Sequence, residues 1–364
     1  MSSGGDILPS PAVAPSTRGQ QAPPVPRGNA WRDRFGLGWL RNLARGVRNR
    51  RRRRREEERI GRLYGLIIDR LDSGVDLLRP DFELVARSIE GTERDGRLLI
   101  GLTVHESPEC VLDQVANLAK FAPQAGVVLH LAGSFRRQLG EDARVLGREL
   151  AKVHPSIIVN PRSFETVYGS GSLLQAQVSN WMLARERGSF ARFSLMSSNE
   201  LLVRSGLEQH LAGADVAVSY NPIDVPGATA GMWRSRLRRA SILGDPIFAH
   251  VMGRNPGRSI VQGLHEGLCM RAELWDEFAR VFDLDFPHHE ILYPTEEIYL
   301  HNLLQPVVQR LRVVPTTCLR NLGGITAAQI EEVRRGTSAE RFSVKRVARR
   351  IDDPIRRAIR ELPD

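Results

Sequence analysis

The sequence has few cysteines and no long apolar run, and each of these two shortages excludes a class of protein. Its three cysteines, Cys110, Cys269 and Cys318, are too few and too scattered for a disulfide framework or a structural zinc site. That usage favours a reducing compartment. No apolar run approaches the roughly 20 residues of a membrane span, and the N-terminus shows no apolar h-region of a secretion signal. We therefore expect a cytoplasmic protein.

The positive charge of the chain is concentrated at its start. Residues 1–55 hold thirteen arginines against Asp6 and Asp33, which leaves −1 for residues 56–364 out of a total of +10. This arm is rich in Pro and Gly, as in disordered tails, and ends in the run Arg50–Arg55. Three interpretations are open: peripheral binding to an anionic membrane at its inner face, a solvated linker, or nucleic-acid contact. The near-neutral body makes nucleic acid the weakest of the three.

Hydrophobic periodicity divides the rest of the chain into a helical cover, an α/β domain and a tail. Apolar positions at i, i+3, i+4 and i+7 predict a helix over 56–71, and a second helix follows over 80–89, so that 56–95 forms an N-terminal cover. Alternating strands and helices then predict a domain over 96–350 with parallel βαβ units, before a basic tail over 351–364. The predicted strands are 97–105, 126–131, 157–159 and 190–196, and the predicted helices are 108–121, 142–153 and 173–187.

The first of these strands is apolar on both faces and ends in polar residues. Leucine, isoleucine and valine dominate it, and Thr103 and His105 lie at its end. Ser107 and Pro108 then suit the N-cap and first turn of a helix. Open α/β sheets bind ligands at the carboxyl ends of their strands. We therefore expect a binding site there.

Several blocks of the sequence resemble a known enzyme family. The segment VYGSGSLLQAQVSNWM, which begins at Val167, is similar to one that opens a long helix in the core-2/I-branching glycosyltransferases and the related peptide xylosyltransferases. RLLIGLTVHES, VVLHLAG, FARFSLMSSNELLV, EGLCMRAELWDEF and YPTEEIYLHNLLQ resemble further blocks of that family in the same order. The resemblance covers roughly 97–350.

The resemblance implies a GT-A-like fold, a mixed central sheet flanked by helices that binds a nucleotide-sugar. It also implies inverting transfer of a sugar such as GlcNAc or xylose from a UDP-sugar to a hydroxyl of a glycan. Such a reaction needs a carboxylate to take the acceptor proton and positive charge to stabilise the departing diphosphate.

Two glutamates are the candidates for the catalytic base. Glu297 matches the family's catalytic glutamate, although Glu296 and Glu297 also suit an ordinary helix start. Glu266, in the tripeptide His265–Gly267, is the second candidate, near the acceptor.

The family works without a metal, and we expect no metal site and no cofactor besides the donor. The triplet Asp283–Asp285 follows a helix rather than a strand, so it is a poor Asp-x-Asp site. Lys345 and Arg346 match the family's phosphate-binding basic pair, or else form one face of a basic C-terminal helix. Further candidate contacts to the donor are Thr103, His105, Arg162 and Ser172.

Two departures from the family leave a second function open. Ala132 and Asn199 stand where the family has aspartates. Either change could alter nucleotide or acceptor contacts, which allows a non-catalytic protein with a degenerate sugar-binding body, associated with a membrane or with nucleic acid. A serine hydrolase is less consistent, because Gly169–Ser172 lacks the Gly-x-Ser-x-Gly nucleophile elbow.

Overall fold

A computed structural model describes residues 79–166, 171–223, 242, 248, 260–282, 294–321, 323–337 and 340–363. The arm over 1–55, the predicted helix over 56–71 and the triplet Asp283–Asp285 lie outside the described residues, as do residues 167–170.

A seven-stranded mixed sheet forms the centre of the described fold, with the strand order β10-β6-β9-β4-β1-β2-β3. The strands are β1 (Leu98–Val104), β2 (Gly126–Leu131), β3 (Ile157–Val159), β4 (Arg192–Ser197), β5 (Glu200–Leu202), β6 (Val216–Ala217), β7 (Asn221–Pro222), β8 (Val261–Gln262), β9 (Cys269–Arg271), β10 (Val313–Val314), β11 (Cys318–Arg320) and β12 (Ser343–Lys345). β1 pairs in parallel with β2 and β4, whereas β9 runs antiparallel to β4 and β6. The predicted mixed α/β class is confirmed.

Helices flank this sheet. In the described part of the chain they are α1 (Phe82–Ile89), α2 (Pro108–Phe121), α3 (Gly133–Leu139), α4 (Asp142–Val153), α5 (Ser172–Arg187), α6 (Leu207–Ala212), α7 (Ala272–Phe282), α8 (Thr295–Leu304), α9 (Ala327–Arg334) and α10 (Pro354–Arg360). None of these helices combines the length and the apolar character that a membrane span requires.

The central strand is covered on both faces, as its apolar sequence predicts. All seven residues of β1 are buried. Leu99 belongs to a core shared with α5 and α7, and Leu102 belongs to a second core shared with α2 and α4. A Cβ atom on Gly101 would lie 2.3 Å from the Phe193 ring and 2.5 Å from Gln177 of α5. Glycine at this position lets α5 pack directly on the sheet.

Most of the predicted elements have the predicted bounds. The strand 126–131 and the helices 108–121 and 142–153 are confirmed, and α5 begins one residue earlier than expected. The helix α3 was not predicted. The interpretation that places Lys345 and Arg346 on a basic helix is wrong, because Lys345 ends β12. The segment predicted as a basic tail contains α10, which buries Ile359 in the core.

A second, three-stranded sheet lies at the carboxyl ends of the central strands, in the order β11-β12-β5. β5 follows β4 after a two-residue turn, so this sheet begins where the central sheet ends. Thr317, just before β11, donates a 3.4 Å backbone hydrogen bond to the carbonyl of Gly267, which precedes β9. The ends of β11 and β12 therefore lie at the predicted ligand-binding edge of the central sheet.

Candidate functional site

Polar side chains meet where the central parallel strands end. Thr103 of β1 pairs in register with His130 of β2 on one side and with Ser197 of β4 on the other. All three side chains are buried. Open α/β sheets bind their ligands at this carboxyl edge. The site predicted from the sequence therefore lies among polar side chains.

The loop before β9 carries Glu266 to the same edge. Because β9 is antiparallel to β4, the loop lies at the carboxyl end of β4, where the nitrogen of Gly267 donates a 2.9 Å hydrogen bond to the Leu195 carbonyl. Gly267 has φ +69, and a Cβ atom there would lie 2.7 Å from the backbone nitrogens of Thr317 and Cys318. Only glycine fits this close approach, which fixes the direction of the neighbouring Glu266.

Glu297 lies in the first turn of α8, as predicted. Its backbone carbonyl accepts a 3.0 Å hydrogen bond from the nitrogen of Gly263, which joins α8 to the loop that carries Glu266. Nη1 of Arg320 lies 3.1 Å from Oε1 of Glu297, and the Gln262 amide donates to Oε2. Both carboxylate oxygens therefore have a protein donor that orients them.

Lys345 contacts Glu266 through its ammonium group. The Glu266 side chain is fully buried. Its contact with Lys345 is an ion pair, and neither carboxylate oxygen accepts a hydrogen bond of good geometry from the described residues. Burial lowers the pKa of Lys345 to about 8; the carboxylate of Glu200 opposes this shift and the charge of Arg346 adds to it. Glu266 and Glu200 are the acids that stabilise the ammonium in this poorly solvated position.

His265 completes this arrangement. Its Nε2 lies 3.2 Å from Oε1 of Glu266. Burial, together with the positive charges of Lys345 and Arg320, holds the pKa of His265 well below its usual value, so the imidazole is neutral near pH 7. We call His265, Glu266, Glu297, Arg320 and Lys345 the charge cluster.

The charge cluster contains atoms that could hold a metal ion. One nitrogen of His265 and one oxygen each of Glu266 and Glu297 lie within 4.8 Å of one another. Imidazole and carboxylate ligands suit transition metals. However, Lys345 and Arg320 already place a positive charge against each carboxylate, and both would repel a dication. The two cations thus lower the affinity of these carboxylates for a dication.

Glu296 has an environment unlike that of Glu297. Its side chain is buried, beside the side chain of Thr295. Burial, with a contribution from the adjacent charge of Glu297, raises the pKa of Glu296 to about 8. Glu296 is therefore mostly protonated at neutral pH. The two neighbouring glutamates differ because successive helix residues point about 100° apart.

His301, one turn along α8, lies fully buried beneath the loop. A Cβ atom on Gly263 would lie 2.0 Å from the imidazole, so the loop backbone packs directly on this ring. Burial lowers the pKa of His301 to about 3, and its ring meets Tyr220 edge to face with centroids 6.1 Å apart. His301 is therefore a neutral, packed side chain on which the backbone of Gly263 rests.

The other predicted site residues lie on different elements. Thr103 is the penultimate residue of β1, and Ser172 is the buried first residue of α5. His105 is 43% exposed, with Nε2 3.5 Å from the Glu106 carboxylate. Arg162 is exposed. Arg346 is also exposed and has φ 74, an unusual conformation for a residue with a side chain. Direct contacts thus join Glu266 with Lys345 and bring Glu297 beside them.

The structure also gives roles to Asn199 and Ala132, the two positions at which the sequence differs from the family it resembles. The carbonyl of Asn199 accepts 3.1 Å hydrogen bonds from the backbone nitrogens of Arg346 and Val347, so it holds the turn after Lys345. Ala132 is the buried N-cap residue of α3, and its nitrogen donates a 2.9 Å hydrogen bond to the Val104 carbonyl. Both contacts use backbone atoms, which either residue type supplies.

Sequence reasoning missed His265 and Arg320. His265 stands next to Glu266 in the sequence, but nothing in the sequence indicates a functional histidine there rather than one that is only packed in the core. Arg320 is one of many arginines, and its short strand offers no periodic signal. Its role depends on the second sheet, which local patterns do not predict.

No family model matches the chain, and no curated protein matches it. Among solved structures, it is similar to the apo structure of the bifunctional glycosyltransferase WbbM, with 9% identity and a TM-score of 0.32 over 75% of this chain. The chain spans 53% of the WbbM structure, about half its length. It is also similar to the galactosyltransferase LgtC in complex with donor and acceptor sugar analogs, with 9% identity and a TM-score of 0.29, over 73% of this chain and 84% of LgtC. Similarities this weak leave the function to be argued from the chain's own side chains.

Proposed function

We propose that this protein is a GT-A-like, inverting glycosyltransferase that moves a sugar from a UDP-sugar to a hydroxyl of a glycan. The observation that carries the proposal is the charge cluster. Two buried carboxylates, Glu266 and Glu297, each contact a cation, Lys345 or Arg320, at the carboxyl edge of the central sheet. Inverting glycosyl transfer from a nucleotide-sugar needs both kinds of group: a carboxylate on the acceptor side of the anomeric carbon and positive charge on the diphosphate side.

In the proposed reaction, the acceptor oxygen attacks the anomeric carbon of the donor sugar. The bond from that carbon to the diphosphate breaks, and its electron pair leaves with UDP. Glu297 accepts the acceptor proton, which removes positive charge from the attacking oxygen. Lys345 and Arg320 stabilise the negative charge that develops on the departing diphosphate.

Glu297 is the better candidate base, and Glu266 is the alternative. The donors on both of its oxygens hold Glu297 in one orientation, as a proton acceptor requires. Glu266 is fully buried and contacts Lys345, so it is suited to positioning that ammonium. The remaining predicted contacts to the donor, Thr103, His105, Arg162, Ser172 and Arg346, form part of the proposal.

Neither an Asp-x-Asp metal site nor a further cofactor is part of the proposed mechanism, because Lys345 and Arg320 supply the positive charge. The Arg-rich arm is proposed to hold the enzyme at the inner face of an anionic membrane. Nucleic acid is not a proposed partner.

A non-catalytic sugar-binding protein is the second candidate. The observation that favours it is that each acid of the charge cluster already has a cation in contact, as in purely structural buried ion pairs. In that case, ligand binding would occur without turnover.

A ligand screen on the full-length protein tests both candidates. Thermal unfolding is measured with UDP-GlcNAc, UDP-xylose, UDP-glucose and UDP, with ADP-glucose as the control nucleotide-sugar, in EDTA. A ligand that binds the folded state raises the unfolding temperature by mass action. UDP release is then followed with glycan acceptors. A shift with turnover supports the enzyme, and a shift without turnover supports the binding protein. If none of these UDP-sugars shifts the melting curve, transfer from them is wrong, and so is a binding protein whose ligand is one of these nucleotide-sugars.

A further inference from the structure

A buried acid that does not belong to the charge cluster lies just after the central strand. Glu106 is the second residue after β1, and its side chain is only 2% exposed although it stands at the carboxyl edge of the sheet. Its Oε2 accepts a 3.1 Å hydrogen bond from the backbone nitrogen of His105. Burial of a carboxylate is costly unless a cation or several donors stabilise it. The neighbours of Glu106 must therefore compensate for its charge.

Arg349 supplies the compensating cation. Its Nε lies 2.7 Å from Oε1 of Glu106, and no other lysine or arginine of the described residues forms an ion pair with this carboxylate. The imidazole of His105 is a second neighbour, with Nε2 3.5 Å from the same oxygen. One buried acid thus holds a histidine and an arginine at the end of β1. We call His105, Glu106 and Arg349 the β1-end group.

The two nitrogen-bearing side chains of the β1-end group are accessible to a ligand. His105 is 43% exposed and Arg349 is 49% exposed. Nη1 and Nη2 of Arg349 donate no hydrogen bond to a described residue. Because Nε is held at Glu106 and the guanidinium is planar, its two terminal nitrogens have a fixed direction. Arg349 therefore presents an oriented pair of donors.

The backbone that leads to Arg349 is held on both sides. The nitrogen of Val347 donates a 3.1 Å hydrogen bond to the carbonyl of Asn199. The carbonyl of Ala348 accepts a 3.1 Å hydrogen bond from Nε of Arg356, which is fully buried. Donors that are already ordered lose little conformational entropy when a ligand binds. The position of Arg349 is thus suited to binding.

Arg349 lies within electrostatic reach of the charge cluster. It follows Lys345 by four residues along the chain. Burial is the main cause that lowers the pKa of Lys345, and the positive charges of Arg346 and Arg349 add to this effect. Cations that lie this near one another repel, and an anion that contacts them relieves the repulsion. A ligand with two linked phosphate groups has oxygens for both Lys345 and Arg349.

We propose that Arg349 binds the diphosphate of the nucleotide-sugar together with Lys345, and that Glu106 is the positioning residue that orients Arg349. This inference rests on the proposed function and adds a donor contact at the end of β1. Phosphate oxygens match the guanidinium fork in geometry and in charge. His105, a proposed donor contact, lies against the same acid, so Glu106 holds both contacts together.

The test compares two neighbouring arginines. Arg350 is 75% exposed and pairs with Asp352, so it is the matched control for Arg349. Calorimetry in EDTA at constant ionic strength measures the binding of UDP and of pyrophosphate to the full-length protein, and an NMR titration measures the binding of uridine. We expect Arg349→Met to bind UDP and pyrophosphate at least about tenfold more weakly and uridine within about twofold of the wild type. Arg350→Met should stay within about twofold for all three ligands.

Glu106→Gln tests the positioning role. Glutamine has nearly the same shape but lacks the charge that holds Arg349, so UDP binding should weaken by about three- to tenfold while uridine binding stays within about twofold. Because Glu106 acts through Arg349, Glu106→Gln should cause no further loss of UDP binding when it is added to Arg349→Met. If the two losses multiply in the double variant, the positioning role of Glu106 is wrong.

The outcomes separate this inference from the proposed function. UDP binding by the wild type that Arg349→Met leaves unchanged overturns the inference and leaves the proposed function intact. Equal losses in Arg349→Met and Arg350→Met would show general charge attraction, and equal losses of UDP and uridine would show a structural role; either overturns the inference. Binding of pyrophosphate through Arg349 without binding of UDP supports the diphosphate site and contradicts the uridine donor of the proposed function. A wild type that binds neither ligand overturns the inference.

Discussion

Nη1 of Arg320 lies 3.1 Å from Oε1 of Glu297, and this contact joins the end of β11 to the first turn of α8. The parallel contact between Lys345 and Glu266 joins the end of β12 to the loop before β9. Two neighbouring strands of the second sheet thus bring one cation each to two acids held by other elements. The arrangement places positive charge beside a candidate proton acceptor.

The first prediction separates the two neighbouring glutamates by their effects on turnover. Glu297→Gln keeps the shape of the side chain and removes its basicity, so turnover should fall by about 10²- to 10⁴-fold while donor affinity changes little. Glu296 is already protonated near pH 7, so Glu296→Gln should retain turnover within about threefold. Initial rates of UDP release and donor calorimetry measure both effects. Equal losses in the two variants would assign the pair a helix-start role, and full activity in Glu297→Gln would move the base to Glu266.

The second prediction concerns stability and pH at Glu296. Its folded pKa of about 8 lies above the ordinary value of 4.5, so the folded state keeps a proton that the unfolded chain loses. The stability linked to this proton is fully present below pH 4.5 and is lost as the pH rises towards 8. Glu296→Gln does not titrate. Its free energy of unfolding relative to the wild type should therefore rise by about 3 kcal/mol between pH 5 and pH 8.

Urea denaturation of the two proteins at both pH values checks this second prediction. The Glu331→Gln variant, whose side chain is 45% exposed, is the control and should follow the wild type at both pH values. A difference between Glu296→Gln and the wild type that stays constant from pH 5 to pH 8 would show that Glu296 is ionised in the folded protein.

The third prediction concerns the glycine that directs Glu266. Gly267 and Gly91 have nearly equal positive φ angles, +69 and +71, but only Gly267 has neighbours near the position of a Cβ atom. Gly91→Ala should cost about 1–2 kcal/mol of unfolding free energy from backbone strain alone. Gly267→Ala adds an overlap with the backbone of Thr317 and Cys318, so it should cost about 3 kcal/mol or more. Urea unfolding measures both. Equal losses of unfolding free energy in the two variants would mean that the loop of Gly267 can move away from β11 without cost.

The fourth prediction concerns the arginine arm, which lies outside the described residues. Arginines near an anionic bilayer contribute about 1 kcal/mol each, so the run Arg50–Arg55 alone would suffice for membrane association. Deletion of residues 1–55 should abolish sedimentation with anionic vesicles, and neutral vesicles should bind neither form. Competition by RNA with no vesicle binding would instead assign the arm to nucleic acid.

The sequence alone determined the identity of the central elements. β1 and β2 were predicted because continuous apolar runs indicate strands covered on both faces, and α2 and α4 because their apolar residues recur at helical spacing. Glu297 at a helix start could be predicted in the same way. These features are local, since the burial of one face is encoded within one segment of chain.

Only the tertiary structure decided which charges meet. Glu266, Glu297, Arg320 and Lys345 come from four different elements, and no local pattern pairs an acid with one arginine among so many. The antiparallel insertion of β9 between β4 and β6 places the loop of Glu266 at the carboxyl edge, and Lys345 ends a strand, which rules out one of its two interpretations, a basic helix. Periodicity reports how each segment is buried, whereas contacts between segments depend on how distant parts of the chain pack together.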